Sequence, residues 1–143
     1  MSDIEPEICN FGALRQAARR VTKLYDDVLV PVGLGVNQYS VLARLSRVGP
    51  SRIQDLARLL VMDRSTLGHL LRPLENRGLV RLNVSEQDRR SRTVALTRAG
   101  KALVAKARSL WAGAQRRFES KFGKEAAFDL RTVLKQVATA DFG

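Results

Sequence analysis

The chain has a single cysteine, Cys9, which excludes an intramolecular disulfide framework and a cysteine-rich zinc site. It also has a single histidine, His69, far in sequence from Cys9, so no metal site is expected. No nucleophile–base arrangement and no glycine-rich phosphate loop occurs, so neither an enzyme nor a cofactor-binding protein is expected. No run is apolar and long enough to span a bilayer, and the acidic opening, residues 1–7, lacks the apolar stretch of a secretory signal. A cytoplasmic protein without a membrane partner is the expectation. Aromatic residues are absent from Val80 to Thr97, which argues against an RNA reader that stacks bases on its strands.

Lysine is missing from a long stretch, and what replaces it is informative. Residues 51–100 hold 10 cationic side chains against 5 acidic ones, and all ten are arginine. The whole chain carries a net charge of +11 over 143 residues, which favours a polyanionic partner. Arginine's planar donor fork matches phosphate and guanine edges, so its concentration in the middle of the chain suits recognition better than solubility. Residues 101–143 are also basic, at 9 against 4, so charge alone does not locate a contact surface.

Hydrophobic spacing predicts a mainly helical chain. Ile8, Phe11, Leu14, Ala18, Val21, Tyr25 and Val28 recur every three or four residues, the period of an amphipathic helix over about 7–30. Pro31 and the glycines Gly33 and Gly35 stop it. Asn37 is a candidate cap for a second helix carrying Tyr39, Leu42, Leu45 and Val48, ended by Gly49-Pro50. Ile53, Leu56, Ala57 and Leu60 form the stripe of a third helix, and Asp63 caps a fourth after a corner at Val61-Met62.

In that fourth helix Leu67, Leu70, Leu71 and Leu74 fall on one side, with Ser65, Gly68, His69 and Arg72 opposite them. Pro73 removes an amide donor there, so a bend is expected, with base contacts concentrated in the first two turns. Gly78 is a natural terminator. Val80, Leu82 and Val84 alternate with polar residues, as do Val94 and Leu96, which predicts two strands around a basic turn. Thr97 caps a long helix bearing Leu103, Ala107, Leu110, Ala114 and Phe118. Gly123 interrupts, and a last helix carries Ala126, Leu130, Val133, Leu134 and Val137. The terminal stripes, about 7–30 and 98–140, are more than a small central reader at about 37–97 can cover. Burial in a symmetric pair is therefore expected.

Two short helices around a tight corner, followed by a basic ribbon, can place a helix in a major groove and the ribbon in a minor groove of duplex DNA. The segments Asn37-Gln-Tyr39, Asp55-Leu-Ala-Arg-Leu-Leu-Val-Met-Asp-Arg-Ser-Thr66, Leu74-Glu-Asn-Arg-Gly-Leu-Val80 and Asp88-Arg-Arg-Ser-Arg-Thr-Val-Ala-Leu-Thr-Arg-Ala-Gly100 come in an order and spacing that resembles the multiple-antibiotic-resistance regulator (MarR) family of winged helix-turn-helix repressors. The resemblance covers nearly the whole chain. It implies a single domain, mainly α with a small β-wing, acting as a homodimer on a palindromic DNA operator.

The family's wing pattern falls on Asp88 and Arg90. It implies that Arg90 enters the minor groove while Asp88 holds the wing, and a narrow minor groove does attract guanidinium groups. Arg89 and Arg92 are phosphate contacts or solvated charges. On the reading helix the candidates are Arg64, Ser65, Thr66, His69 and Arg72, of which Arg72 can fork onto a guanine. Family members are commonly released from DNA by a small aromatic or phenolic effector, for which Tyr39, Trp111 and Phe118 are candidate pocket residues or plain core.

An alternative comes from the organic-hydroperoxide repressors within the family, which sense oxidants through a cysteine early in the first helix. Thr22-Lys-Leu-Tyr25 and Gln38-Tyr39 resemble that branch. Cys9, however, stands two residues further from Tyr25 than the pattern, and Val36 replaces a tyrosine. Glu5 and Glu7 also oppose thiolate formation.

Overall fold

The computed structural model describes residues 8–84 and 91–143. The order of elements is α1 (Asn10–Leu29), a 3-10 turn (Val30–Val32), α2 (Val36–Val48), β1 (Ser51–Arg52), α3 (Ile53–Leu60), α4 (Arg64–Asn76), β2 (Val80–Val84), β3 (Arg92–Leu96), α5 (Arg98–Phe122) and α6 (Lys124–Ala138). The fold is mainly α with a small antiparallel wing. No single helix among the described residues is long and apolar enough to cross a membrane.

Local chemistry sets most boundaries as the sequence predicts. Asp63 caps α4, accepting the Thr66 amide at 2.6 Å, and Thr97 caps α5, accepting the Gly100 amide at 3.0 Å. Helix α4 continues through Pro73 to Asn76. It closes with Gly78 at a φ of 73°, the Gly78 amide bonding the Glu75 carbonyl and the Leu79 amide bonding that of Leu74. Only a residue at ease in the left-handed region makes this closure cheaply. Leu74 and Leu79, both buried, pack beneath it.

Two expectations need correction. Asn37 does not cap α2; Gly35 occupies the cap position, and the carboxylate of Asp26 in α1 accepts the Val36 amide at 2.7 Å. The Gln38 side chain accepts the Gly35 amide at 3.0 Å, so the polar groups that start α2 come from either side of Asn37. The wing also has a third strand. Ser51 and Arg52 pair with Val94 and Thr93, giving the sheet order β1-β3-β2, while Val80, Leu82 and Val84 stand opposite Leu96, Val94 and Arg92.

The core sits where the reader meets the long helix. Leu29, Val41, Leu42, Leu56, Leu67, Leu71, Leu74, Val94, Val104 and Ala107 are buried together. The terminal helices are different. Phe11 is 71% exposed and Phe128 62%, and Leu14, Phe122, Leu130, Val133, Leu134 and Val137 are exposed with them. An open apolar face of this extent marks an interaction surface.

Candidate nucleic-acid interface

Helix α4 buries Leu67, Leu71 and Leu74 and turns the opposite stripe outward. Arg64, Ser65 and Thr66 in its first turn are exposed, as are His69 and Arg72 further along. Ser65, His69 and Arg72 are spaced by four and three residues, so they form one continuous ridge. Apart from the helix's own backbone, no atom among the described residues lies within 4 Å of where a Cβ on Gly68 would stand, so the backbone there is open to close approach by a partner. The Asp63 carboxylate takes up the Thr66 amide at the helix start, so the groups this turn offers a partner are the exposed side chains of Arg64, Ser65 and Thr66. Arg64 and Arg72 make no ion pair among the described residues, whereas Arg52 and Arg58 are both tied to Asp55, at 3.2 and 3.6 Å.

The cap that positions this ridge is pH-sensitive. Hydrogen bonds from the Thr66 amide and the Thr66 side chain hold the Asp63 carboxyl below its usual range, with a smaller contribution from the nearby His69. A depressed folded pKa contributes stability that is present above the unfolded pKa and lost as pH falls through the folded one. Asp63→Ala is therefore expected to melt below wild type at neutral pH, with the gap closing in acid. Melting curves at about pH 7 and about pH 2.5 check this, and a gap indifferent to pH would remove the carboxylate charge from the account.

Beside α4, Arg81 on β2 and Arg92 on β3 are exposed on the wing. Asp88, Arg89 and Arg90 lie outside the described residues.

The aromatic candidates separate into two places. Tyr39 is buried, and its ring centroid lies 6.4 Å from that of Trp111, at an interplanar angle of 31°. Burial raises the Tyr39 hydroxyl pKa, and the charge and hydrogen bond of Arg108 partly oppose the rise. Phe118, two turns further along α5, pairs instead with Phe122 at 5.0 Å. It lines two grooves between α1 and α5–α6, with volumes of 1200 Å³ and 640 Å³. Cys9 is exposed at the start of α1, where its sulfur accepts the Gly12 amide at 3.4 Å.

Sequence reasoning missed several polar contacts besides that of Asp26. Arg108 approaches Tyr39, Tyr25 donates its hydroxyl proton to the Gln115 side chain, and Arg77 donates to the carbonyls of Gly33 and Val32. Arg77 had a local signal, since it stands immediately before the left-handed Gly78. Its partners, more than forty residues away in sequence, had none.

Comparisons with known proteins agree with this geometry. Residues 34–91 match the MarR family. Over 141 residues, 94% of this chain and 82% of the relative, the sequence is 30% identical to the HTH-type transcriptional regulator PecS of Dickeya dadantii. It is 34% identical over 105 residues to the transcriptional activatory protein BadR of Rhodopseudomonas palustris, a match that spans 60% of BadR's length. The transcriptional repressor CouR bound to a 23-mer DNA duplex superposes with a TM-score of 0.85 at 29% identity, covering 96% of this chain and 98% of that one. CouR of Rhodococcus jostii RHA1 bound to p-coumaroyl-CoA superposes at 0.81 with 25% identity, covering 96% of each chain.

Proposed function

The chain belongs to the MarR family of transcriptional regulators, and on that premise we propose that it is a sequence-specific repressor that binds a palindromic duplex-DNA operator as a homodimer and is released by a small aromatic or phenolic ligand. The observation that carries this reading is the exposed ridge of α4, Ser65, His69 and Arg72, set beside an arginine-bearing wing on a chain of net charge +11. A helix with one leucine face buried and one arginine-bearing face open is built to enter a major groove. The apolar faces of α1 and α6 supply the two-fold contact, which places two readers on one molecule.

In this reading Arg64, Ser65 and Thr66 meet phosphate or base edges at the start of α4, and Arg72 reads a base. Arg90 enters the minor groove with Asp88 supporting the wing, and Arg89 and Arg92 contribute charge. Tyr39 and Trp111 line the effector site, with Arg108 as its polar group. CouR supplies a precedent, since one of its structures holds a phenolic acyl thioester. An effector acts by binding the conformation that cannot hold DNA better than the one that can. Cys9 has a structural occupation as the cap of α1, and with Val36 in place of a second tyrosine the hydroperoxide-sensing alternative has less support.

The test is a competition, at fixed salt, between the DNA upstream of the chain's own gene and random duplex. The upstream DNA is expected to win, and Arg72→Ala is expected to narrow the preference by weakening cognate binding about 1–3 kcal/mol more than random binding. Arg90→Ala is expected to cost cognate affinity by about the same amount. Equal loss of cognate and random binding on replacing Arg72 would remove it from base reading. No preference in the wild type would overturn the function itself.

A further inference from the structure

The C-terminal end of the reading helix is fastened both to the start of α5 and to the corner that follows α1. One fastening runs through Thr97, by its hydroxyl and its amide. The Gly78 carbonyl accepts the Thr97 hydroxyl at 2.6 Å, and the Leu79 carbonyl accepts the Thr97 amide at 3.1 Å, which pins residues 78–79 to the start of α5. The other fastening is a single side chain. Arg77 leaves the end of α4 and reaches the corner where α1 gives way to α2. There its Nη1 donates to the Gly33 carbonyl at 2.8 Å and its Nη2 to the Val32 carbonyl at 3.2 Å.

Those two carbonyls end the 3-10 turn that continues α1, so they are unpaired acceptors at the negative end of a helix dipole. A guanidinium fork meets two adjacent carbonyls at once, which an ammonium cannot do in the same geometry. Gly33 is in the left-handed region at a φ of 67°, and a Cβ there would stand 3.6 Å from Arg77 Nη1, so the fork lies close against the bare corner. The corner is itself tied down, because Asp26 in α1 accepts the Val36 amide at the start of α2. Arg77 therefore bonds the reading helix directly to a braced joint at the end of α1.

We propose that Arg77 is a positioning residue that sets the separation and rotation of the two reading helices, and hence the half-site spacing the dimer accepts. The proposal rests on the reading of the protein as a two-fold DNA reader. In a dimer held through α1, α5 and α6, each reader's place is fixed by how it is fastened to those helices. One inserted base pair moves a half-site by about 3.4 Å and rotates it by about 35°. A stiffly fastened pair of readers follows these changes poorly, whereas a pair held to α1 by core packing alone, without the fork, follows them more easily. Arg77 supplies this constraint without touching DNA.

The test uses a palindrome selected by the wild-type protein from a random duplex pool, together with versions carrying one base pair added or removed between the half-sites. Full-length wild type, Arg77→Met and Arg77→Lys are compared by salt-controlled titration, with melting and sedimentation run alongside. Wild type is expected to lose about 100-fold in affinity on insertion, and both variants less than about 10-fold, while each still prefers the selected half-site bases over random sequence.

Arg77→Lys keeps the charge, so its failure to restore the spacing penalty separates a lost fork from a lost phosphate contact. The salt slope is expected to stay unchanged. An unaltered spacing penalty in folded, dimeric Arg77→Met would overturn the proposal. So would a slope reduced by about one with full rescue in Arg77→Lys, which is the signature of a direct phosphate contact. If Arg77→Met does not fold, Arg77→Lys decides by the same spacing profile. A wild type indifferent to spacing would instead defeat the two-fold reading and the positioning role with it.

Discussion

Gly100→Ala is expected to destabilise the protein by about 2–4 kcal/mol, although the same exchange inside an ordinary helix stabilises by about 1 kcal/mol. The sign is decided by what a Cβ would meet. It would stand 2.1 Å from the Leu79 carbonyl oxygen, 3.1 Å from the Leu79 carbonyl carbon and 3.1 Å from Leu96 Cδ2. The nearest obstacle is backbone, so it cannot swing aside as a flexible side chain could. Either α5 or the start of the wing must move, and movement breaks the bonds from Thr97 to Gly78 and Leu79.

Gly113 is the control. It lies in the same helix, and among the described residues a Cβ there would meet only the Arg116 guanidinium, at 3.8 Å, so Gly113→Ala is expected to be neutral or to stabilise by up to about 1 kcal/mol. Denaturant midpoints at one fixed protein concentration measure both. Gly100→Ala as stable as wild type would show that the contact between α5 and the wing is loose.

Leu134→Asp is expected to turn a dimer into monomers. Leu134 lies on α6 with Leu130, Val133 and Val137, and together with Leu14 of α1 these side chains line a 640 Å³ groove that leaves them exposed in one protomer. A carboxylate placed in a dry interface costs several kcal/mol, and two-fold symmetry applies the cost twice, so dimer affinity should fall at least about a thousandfold. Wild type is expected to sediment at twice the 15.9 kDa of one chain and the variant at that single mass. Operator binding should fall towards the non-specific level, because one reader no longer holds the other at high local concentration. A variant that stays dimeric would place the two-fold contact elsewhere.

The parts of the fold readable in the sequence were those decided by neighbouring residues. Asp63 and Thr97 cap the helices that follow them because each side chain reaches an amide three residues on. Gly49, Gly78 and Gly123 end helices because all three adopt positive φ there. The ridge of α4 was legible for the same reason: once Leu67, Leu71 and Leu74 face inward, helical geometry sends Ser65, His69 and Arg72 outward.

Whatever depends on a partner distant in the chain was not legible. Ser51-Arg52 is too short to announce a strand, and it becomes one only because β3 arrives beside it, more than forty residues later. Asn37 looked like a cap because its chemistry is right, but Asp26 of another helix supplies the acceptor. Tyr39, Trp111 and Phe118 looked like one aromatic set, yet the step of seven residues from Trp111 to Phe118 carries the latter about 10 Å along α5, to Phe122.

The sequence by itself determined most helix limits, the two longer strands of the wing, the arginine-rich reader and the family resemblance, because each follows from contacts within a turn or two or from the order of segments. Only the tertiary structure decided which helix end Arg77 holds, why Gly100 must lack a side chain, and which apolar residues remain uncovered on one protomer. Those outcomes depend on where α1, α4 and α5 lie relative to one another. That arrangement is set by the shared core they bury, and no local spacing encodes it.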